Sequence, residues 1–87
     1  MNDKPTACLP WVGRDDGLWL IWSDTTAAAR VCRLWSETYE WIVWQPNGGH
    51  ARNRLISSGL IATEALAVKS ATACIRKAGY EFEEDAS

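Results

Sequence analysis

Residues 39–44 read YEWIVW, and this stretch decides the fold because almost every residue in it is aromatic or β-branched. Such residues favour a β-strand, in which successive side chains point to opposite faces. Trp41 and Val43 therefore share one face. Ile42 and Trp44 share the other. A sheet with one face in water would carry polar residues at every second position, so this stretch predicts a central strand that is apolar on both faces.

Two further strands precede this one. Residues 18–22 read LWLIW and follow a polar turn signal at 13–17, so they form the first predicted strand. Residues 27–35 are ambiguous, because three alanines favour a helix whereas the period-two pattern of 30–34 favours a strand. We interpret 27–35 as a strand, since 36–38 can close a hairpin into the YEWIVW stretch.

A turn, a fourth strand and a helix complete the pattern. Residues 46–49 read PNGG, which is typical of a tight connection. We predict a fourth, more polar strand over 52–58 after this connection. Thr63 is a suitable N-cap and Gly79 a suitable terminator, so we predict a helix over 64–78. Its apolar half is mostly alanine, which lets it pack closely on one face of the sheet.

These elements predict an α+β fold, with an antiparallel sheet of three to four strands packed against one C-terminal α-helix. The chain has 87 residues, of which 47% are hydrophobic, and this is the size of a single small domain spanning 1–87. We expect an irregular N-terminal segment over 1–10 and an acidic C-terminal tail over 80–87.

Composition and motifs disfavour nucleic-acid binding through phosphates, a membrane span, catalysis and metal binding. Nine Lys and Arg against eleven Asp and Glu give a net charge of -2, which disfavours binding dominated by phosphate contacts. No run approaches the roughly 20 apolar residues of a membrane span and no leader pattern opens the chain, so we expect a cytoplasmic protein. His50 is the one histidine, the three cysteines are far apart, and Asp15-Asp16 lacks further spaced oxygen ligands. We therefore expect no catalytic residue, no metal and no cofactor.

The spare apolar face of the sheet is the main functional signal. One helix covers one face, so the other requires the N-terminal segment with Leu9 and Trp11, a second copy of the chain, or a different protein. Six tryptophans are present, and Trp is enriched at the energetic centre of interfaces. The candidate partner-binding residues are Trp19, Trp22, Trp41 and Trp44, with Arg30, Arg33 and Arg52 as a polar rim.

The layout also resembles that of a broad class of small proteins. The resemblance lies in the YEWIVW strand, the Gly-Gly turn, the stretch GLIATEA at 59–65 and the alanine-rich helix. The chain resembles, in its layout, small orphan proteins of bacteriophages and mobile elements, among them anti-CRISPR inhibitors. The resemblance covers roughly residues 29 to 79 in size and layout, and it carries over no functional residue. It implies a protein that binds and blocks a host complex, such as a CRISPR effector, in the bacterial cytoplasm.

Three functional hypotheses follow. The first is a non-enzymatic protein-binding module, of the phage-type inhibitor kind. The second is a structural homodimer whose sheets pack face to face. The third is a single-stranded nucleic-acid binder that uses arginines and tryptophans on the sheet, which the acidic net charge disfavours.

Overall fold

A computed structural model describes residues 5–46 and 54–83. In chain order the described residues form β1 (Ala7–Arg14), β2 (Gly17–Trp22), β3 (Ala27–Trp35), β4 (Thr38–Gln45), β5 (Arg54–Ile61), α1 (Glu64–Lys77) and β6 (Phe82–Glu83). The six strands form one sheet in the order β5-β4-β3-β2-β1-β6. Strands β1 to β5 pair antiparallel, β6 pairs parallel with β1, and α1 packs on β3, β4 and β5. The fold is α+β, with one C-terminal helix on a mixed sheet.

The four predicted strands are present close to their expected bounds. β2, β3 and β4 contain the predicted strands, and β3 resolves the ambiguous segment in favour of a strand. The returning strand begins at Arg54 and extends to Ile61, three residues beyond its predicted end. The turn residues 47–49 lie outside the described residues.

The expectation of three to four antiparallel strands was too few and missed the mixed pairing. β1 takes up residues 7–10 of the segment expected to be irregular, and β6 takes up two residues of the acidic tail. Pro10 hid β1, because proline cannot donate to a strand ladder. It lies where the β1–β2 register is interrupted between Cys8 and Val12, so the missing donor is tolerated there.

The core lies between α1 and the sheet. Residues directly opposite each other on paired strands share a face, so the register defines a row Leu20, Ala29, Val43 and Ser57 across β2 to β5. The first three of these side chains are fully buried. This row identifies the sheet face that α1 covers.

Small residues bring α1 close to that face. Its buried positions are Ala67, Ala71 and Ile75, which recur every four residues along one side of the helix. The predicted N-cap is confirmed, since the Thr63 hydroxyl accepts a hydrogen bond from the Leu66 N–H at 3.1 Å. Among the described residues, no helix is long and apolar enough to cross a membrane.

Candidate interaction surface

The sheet face opposite α1 carries a second row of paired residues. One residue from each of β1 to β5 lies in this row, in the order Val12, Trp19, Arg30, Ile42 and Ser58. Neighbouring pairs place further residues on the same face. We call this surface the open face and define it by Val12, Trp19, Ile21, Arg30, Glu40, Ile42, Trp44, Leu55, Ser58 and Leu60. No described helix or strand packs across it, since α1 contacts β3 to β5 from the other side.

Two tryptophans form the centre of the open face. The rings of Trp19 and Trp44 are stacked, with centroids 6.1 Å apart and planes 14° apart. They belong to β2 and β4, whose backbones are separated by β3 and therefore by about 9.5 Å. The two rings therefore approach each other across β3, whose residues 27–29 are alanines, with Ala29 on the α1 side of the strand.

Charged groups surround the Trp19 ring. The guanidinium carbons of Arg14 and Arg30 lie 5.8 and 5.6 Å from its centroid, within the range of a cation–π interaction. The indole N–H of Trp19 donates to Asp16 Oδ1 at 2.7 Å. A loose ion pair joins Arg30 Nη2 to Glu40 Oε1 at 3.8 Å. Among the described residues of this surface, Arg30 is paired with Glu40 and Asp16 lies against the Trp19 ring, so carboxylates accompany the arginines.

One hydrogen-bond donor of Arg30 has no partner among the described residues. Its Nε is buried and makes no hydrogen bond to any described group. A buried donor without a partner is costly.

Exposed aliphatic side chains border the tryptophans. Leu60 is 61% exposed, Leu55 58% and Val12 44%. The N-terminal residues Leu9 and Trp11 are partly buried against the core cluster, so they do not cover the open face. These exposed apolar side chains make the open face a candidate interaction surface.

The structure brings together three of the seven predicted contact residues. Trp19, Trp44 and Arg30 lie together on the open face. Trp22 is 1% exposed, and its indole N–H donates to the Trp44 carbonyl at 3.0 Å. Trp41 lies on the helix side.

The two remaining predicted contacts are arginines. Arg33 is exposed and lies opposite Tyr39, on the other face of β3 from Arg30. Arg52 and His50 lie outside the described residues.

Sequence reasoning missed the partners of the Trp19 ring. Asp16 is three residues before Trp19 across the β1–β2 turn, and the polar turn signal was treated only as a connection. Glu40 lies diagonally across from Arg30, a relation that requires the register. Trp35, 66% exposed at the end of β3, was also not selected.

The described residues provide little for chemistry. They contain no group of three or more His, Cys, Asp or Glu that could hold a metal ion. Cys8, Cys32 and Cys74 are free and half-buried. Burial, with a smaller effect of the Glu83 carboxylate, raises the pKa of the Cys8 thiol, and burial also raises the pKa of Cys74 against an opposing effect of Lys77. Thiols with raised pKa values are poor nucleophiles at neutral pH.

No protein family, characterised protein or solved structure matches this chain.

Proposed function

We propose that the chain is a non-enzymatic protein-binding module and that the open face is its contact surface. The observation that carries the proposal is the stacked Trp19–Trp44 pair beside Arg30, uncovered by any described element and bordered by exposed leucines. Tryptophan and arginine are the residues most enriched among interface hot spots. The partner is a protein with an apolar patch and an acceptor for Arg30.

Charge favours a protein partner over single-stranded nucleic acid. Trp19 and Arg30 resemble a stacking platform, but Asp16 and Glu40 lie against them. A strand of phosphates would meet these carboxylates as well as the arginines, and electrostatic attraction would be weak. Titration with a single-stranded oligonucleotide at low salt should leave the tryptophan emission unchanged.

The resemblance in layout extends the proposal to a biological role. A small chain with an uncovered aromatic surface suits a protein that occludes part of a host complex, as in the phage-encoded inhibitors it resembles. The open face would then cover a surface that the complex needs for its own activity.

Removal of the two stacked rings tests the proposal. The chain and its variants are immobilised and used to capture proteins from extracts of the cells that produce it. Trp19→Ala combined with Trp44→Ala should weaken capture of the specific partner by more than about 2 kcal/mol, or about thirtyfold in affinity. Trp35→Ala, which also removes an exposed tryptophan but outside the stack, should leave capture unchanged. Retention of the partner by the double variant would contradict the proposal.

A face-to-face homodimer is the second candidate, since the exposed leucines of the open face suit a second copy equally well. Light scattering across a dilution series separates the two. A stable mass of twice the chain that falls to the monomer in the Trp19 and Trp44 double variant favours the homodimer. A monomer at every concentration leaves the open face for a different protein.

A further inference from the structure

A second surface lies at the β5 edge of the sheet, away from the open face. A groove of about 560 Å³ runs between α1 and β5 and is lined by Trp41, Ile56, Ser57, Ser70, Ala73, Cys74, Lys77 and Ala78. We call it the edge groove. Its volume is within the range of pockets that hold a small ligand.

The wall of the edge groove is built by an unusual cross-strand pair. Trp41 lies directly opposite Gly59 on β5. A Cβ atom on Gly59 would lie 2.8 Å from Trp41 Nε1, so the indole ring lies flat across the glycine and reaches toward the edge strand. The ring thereby presents an apolar surface to the groove.

β5 itself has a free edge. It is the outermost strand of the sheet, and among the described residues it pairs only with β4. β5 reads RLISSGLI, and after Arg54 at its first position the residues 55–61 carry neither the proline, the lysine nor the inward-pointing charge that usually blocks an exposed edge. One side of this strand therefore offers backbone N–H and C=O groups to another extended chain.

The charge of the edge groove favours extended chains that carry a carboxylate. Among the described residues that line the edge groove, Lys77 is the only charged one. Ser70, Ala73 and Lys77 lie on one flank of α1, three and four residues apart, so the ammonium group lies at the end of an otherwise short-chained wall. An extended peptide that carries a carboxylate complements this arrangement, whereas a basic peptide does not.

We propose that the edge groove binds an extended peptide segment of a partner protein. The segment adds a strand to β5, places a large apolar side chain against Trp41, and presents an acidic side chain to Lys77. Because alternate residues of a strand share a face, the acidic residue follows or precedes the apolar one by two positions. Backbone pairing supplies affinity and the groove supplies selectivity, as in other modes of strand addition. β5 also contributes Leu55, Ser58 and Leu60 to the open face, but the proposal does not depend on the stacked Trp19–Trp44 pair.

Defined octapeptides test this inference. The probe is an acetylated, amidated octapeptide of alternating Thr and Val with Phe at a central position and Asp two positions away. We expect it to shift the amide NMR signals of β5 and of Ser70–Lys77 and to slow hydrogen exchange along β5. The same peptide N-methylated at alternate residues keeps every side chain but loses backbone donors, and it should bind at least about tenfold more weakly.

Two variants of the chain give matched controls. Lys77→Glu should reverse the preference, so that the peptide with Lys in place of Asp binds better than the original. Ala73→Phe places a ring at an exposed helix position that lines the groove, and it should weaken binding at least about tenfold without lowering the unfolding midpoint. Trp19→Ala should leave peptide binding unchanged, which separates this surface from the open face.

Three results would overturn the proposal. One is the absence of binding by every peptide up to about 1 mM. Another is binding that N-methylation or Lys77→Glu does not alter. The third is a free chain that is already dimeric with its β5 amides protected, because a second copy would then occupy the edge.

Discussion

At the scale of single residues, the tryptophans have separate roles that follow from their neighbours. Trp22 is enclosed in the core. Its ring centroid lies 4.8 Å from that of Tyr80, and its indole N–H donates a hydrogen bond to the Trp44 carbonyl. Trp19 lies on the opposite face of the same strand, against arginines and a carboxylate. The alternation within β2 predicted that these two point apart. It did not predict which one faces α1, because both faces of the strand are apolar.

Replacement of these two residues should therefore differ in effect. Trp22→Ala removes a fully buried ring and should cost about 3–5 kcal/mol of unfolding free energy. Trp19→Ala removes a half-buried ring from an uncovered face and should cost much less. Urea unfolding of both variants, followed by far-UV circular dichroism, measures the difference. Equal losses would contradict the assignment of Trp19 to the open face.

Gly59 is required by the ring that lies over it. Gly59→Ala drives a methyl group into the Trp41 indole and should destabilise the chain by about 1–3 kcal/mol. In a Trp41→Ala background the obstacle is gone, so the same substitution should be close to neutral. A double-mutant cycle of unfolding free energies gives the coupling between the two positions. Additive effects would show that the ring does not lie over Gly59.

Cys8 and Glu83 are linked across the β1–β6 pairing. The Cys8 thiol lies 3.8 Å from Glu83 Oε1, and this carboxylate adds to burial in raising the pKa of the thiol. Glu83→Gln removes the negative charge and should lower that pKa, so more thiolate is present at a given pH. Alkylation of Cys8 at pH 8, in a chain with Cys32 and Cys74 replaced by Ser, should become a few-fold faster. An unchanged rate would place Glu83 away from the thiol.

At the scale of elements, residue preferences and capping residues along the sequence predicted the strands and the helix that depend on them. Strong strand formers gave β2 and β4, and the capping residue and terminal glycine gave α1 almost to the residue. β1 was missed because Pro10 interrupts its pattern. β6 was missed because a two-residue strand has no pattern, and it exists through its pairing with Ala7 and Cys8.

The start of α1 provides a test at this scale. Thr63→Ala removes the oxygen that accepts the Leu66 N–H and should cost about 1 kcal/mol of unfolding free energy. Thr63→Ser keeps the oxygen and should retain most of the stability. Thermal or urea unfolding of the pair isolates the cap from other effects of the position. Equal losses in both variants would show that the hydroxyl does not stabilise the helix.

At the scale of the whole molecule, the sheet has more apolar surface than one helix can cover. The sequence predicted this imbalance from the doubly apolar strands, and the register locates the uncovered surface around Trp19, Arg30 and Trp44. The composition of that surface depends on which residues from distant strands become neighbours. For this reason Asp16, Glu40 and the exposed leucines could not be assigned to it from sequence alone.

The central claim is that the open face contacts another protein. Site-specific photo-cross-linking tests it most directly, with p-benzoyl-phenylalanine in place of Trp44 and, as a control, in place of the exposed Lys69 of α1. In cells that produce the chain, we expect a cross-linked product with one different protein from position 44 and none from position 69. Trp19→Ala should abolish that product. Equal cross-linking from both positions, a product containing only two copies of the chain, or no product from position 44 would contradict the claim.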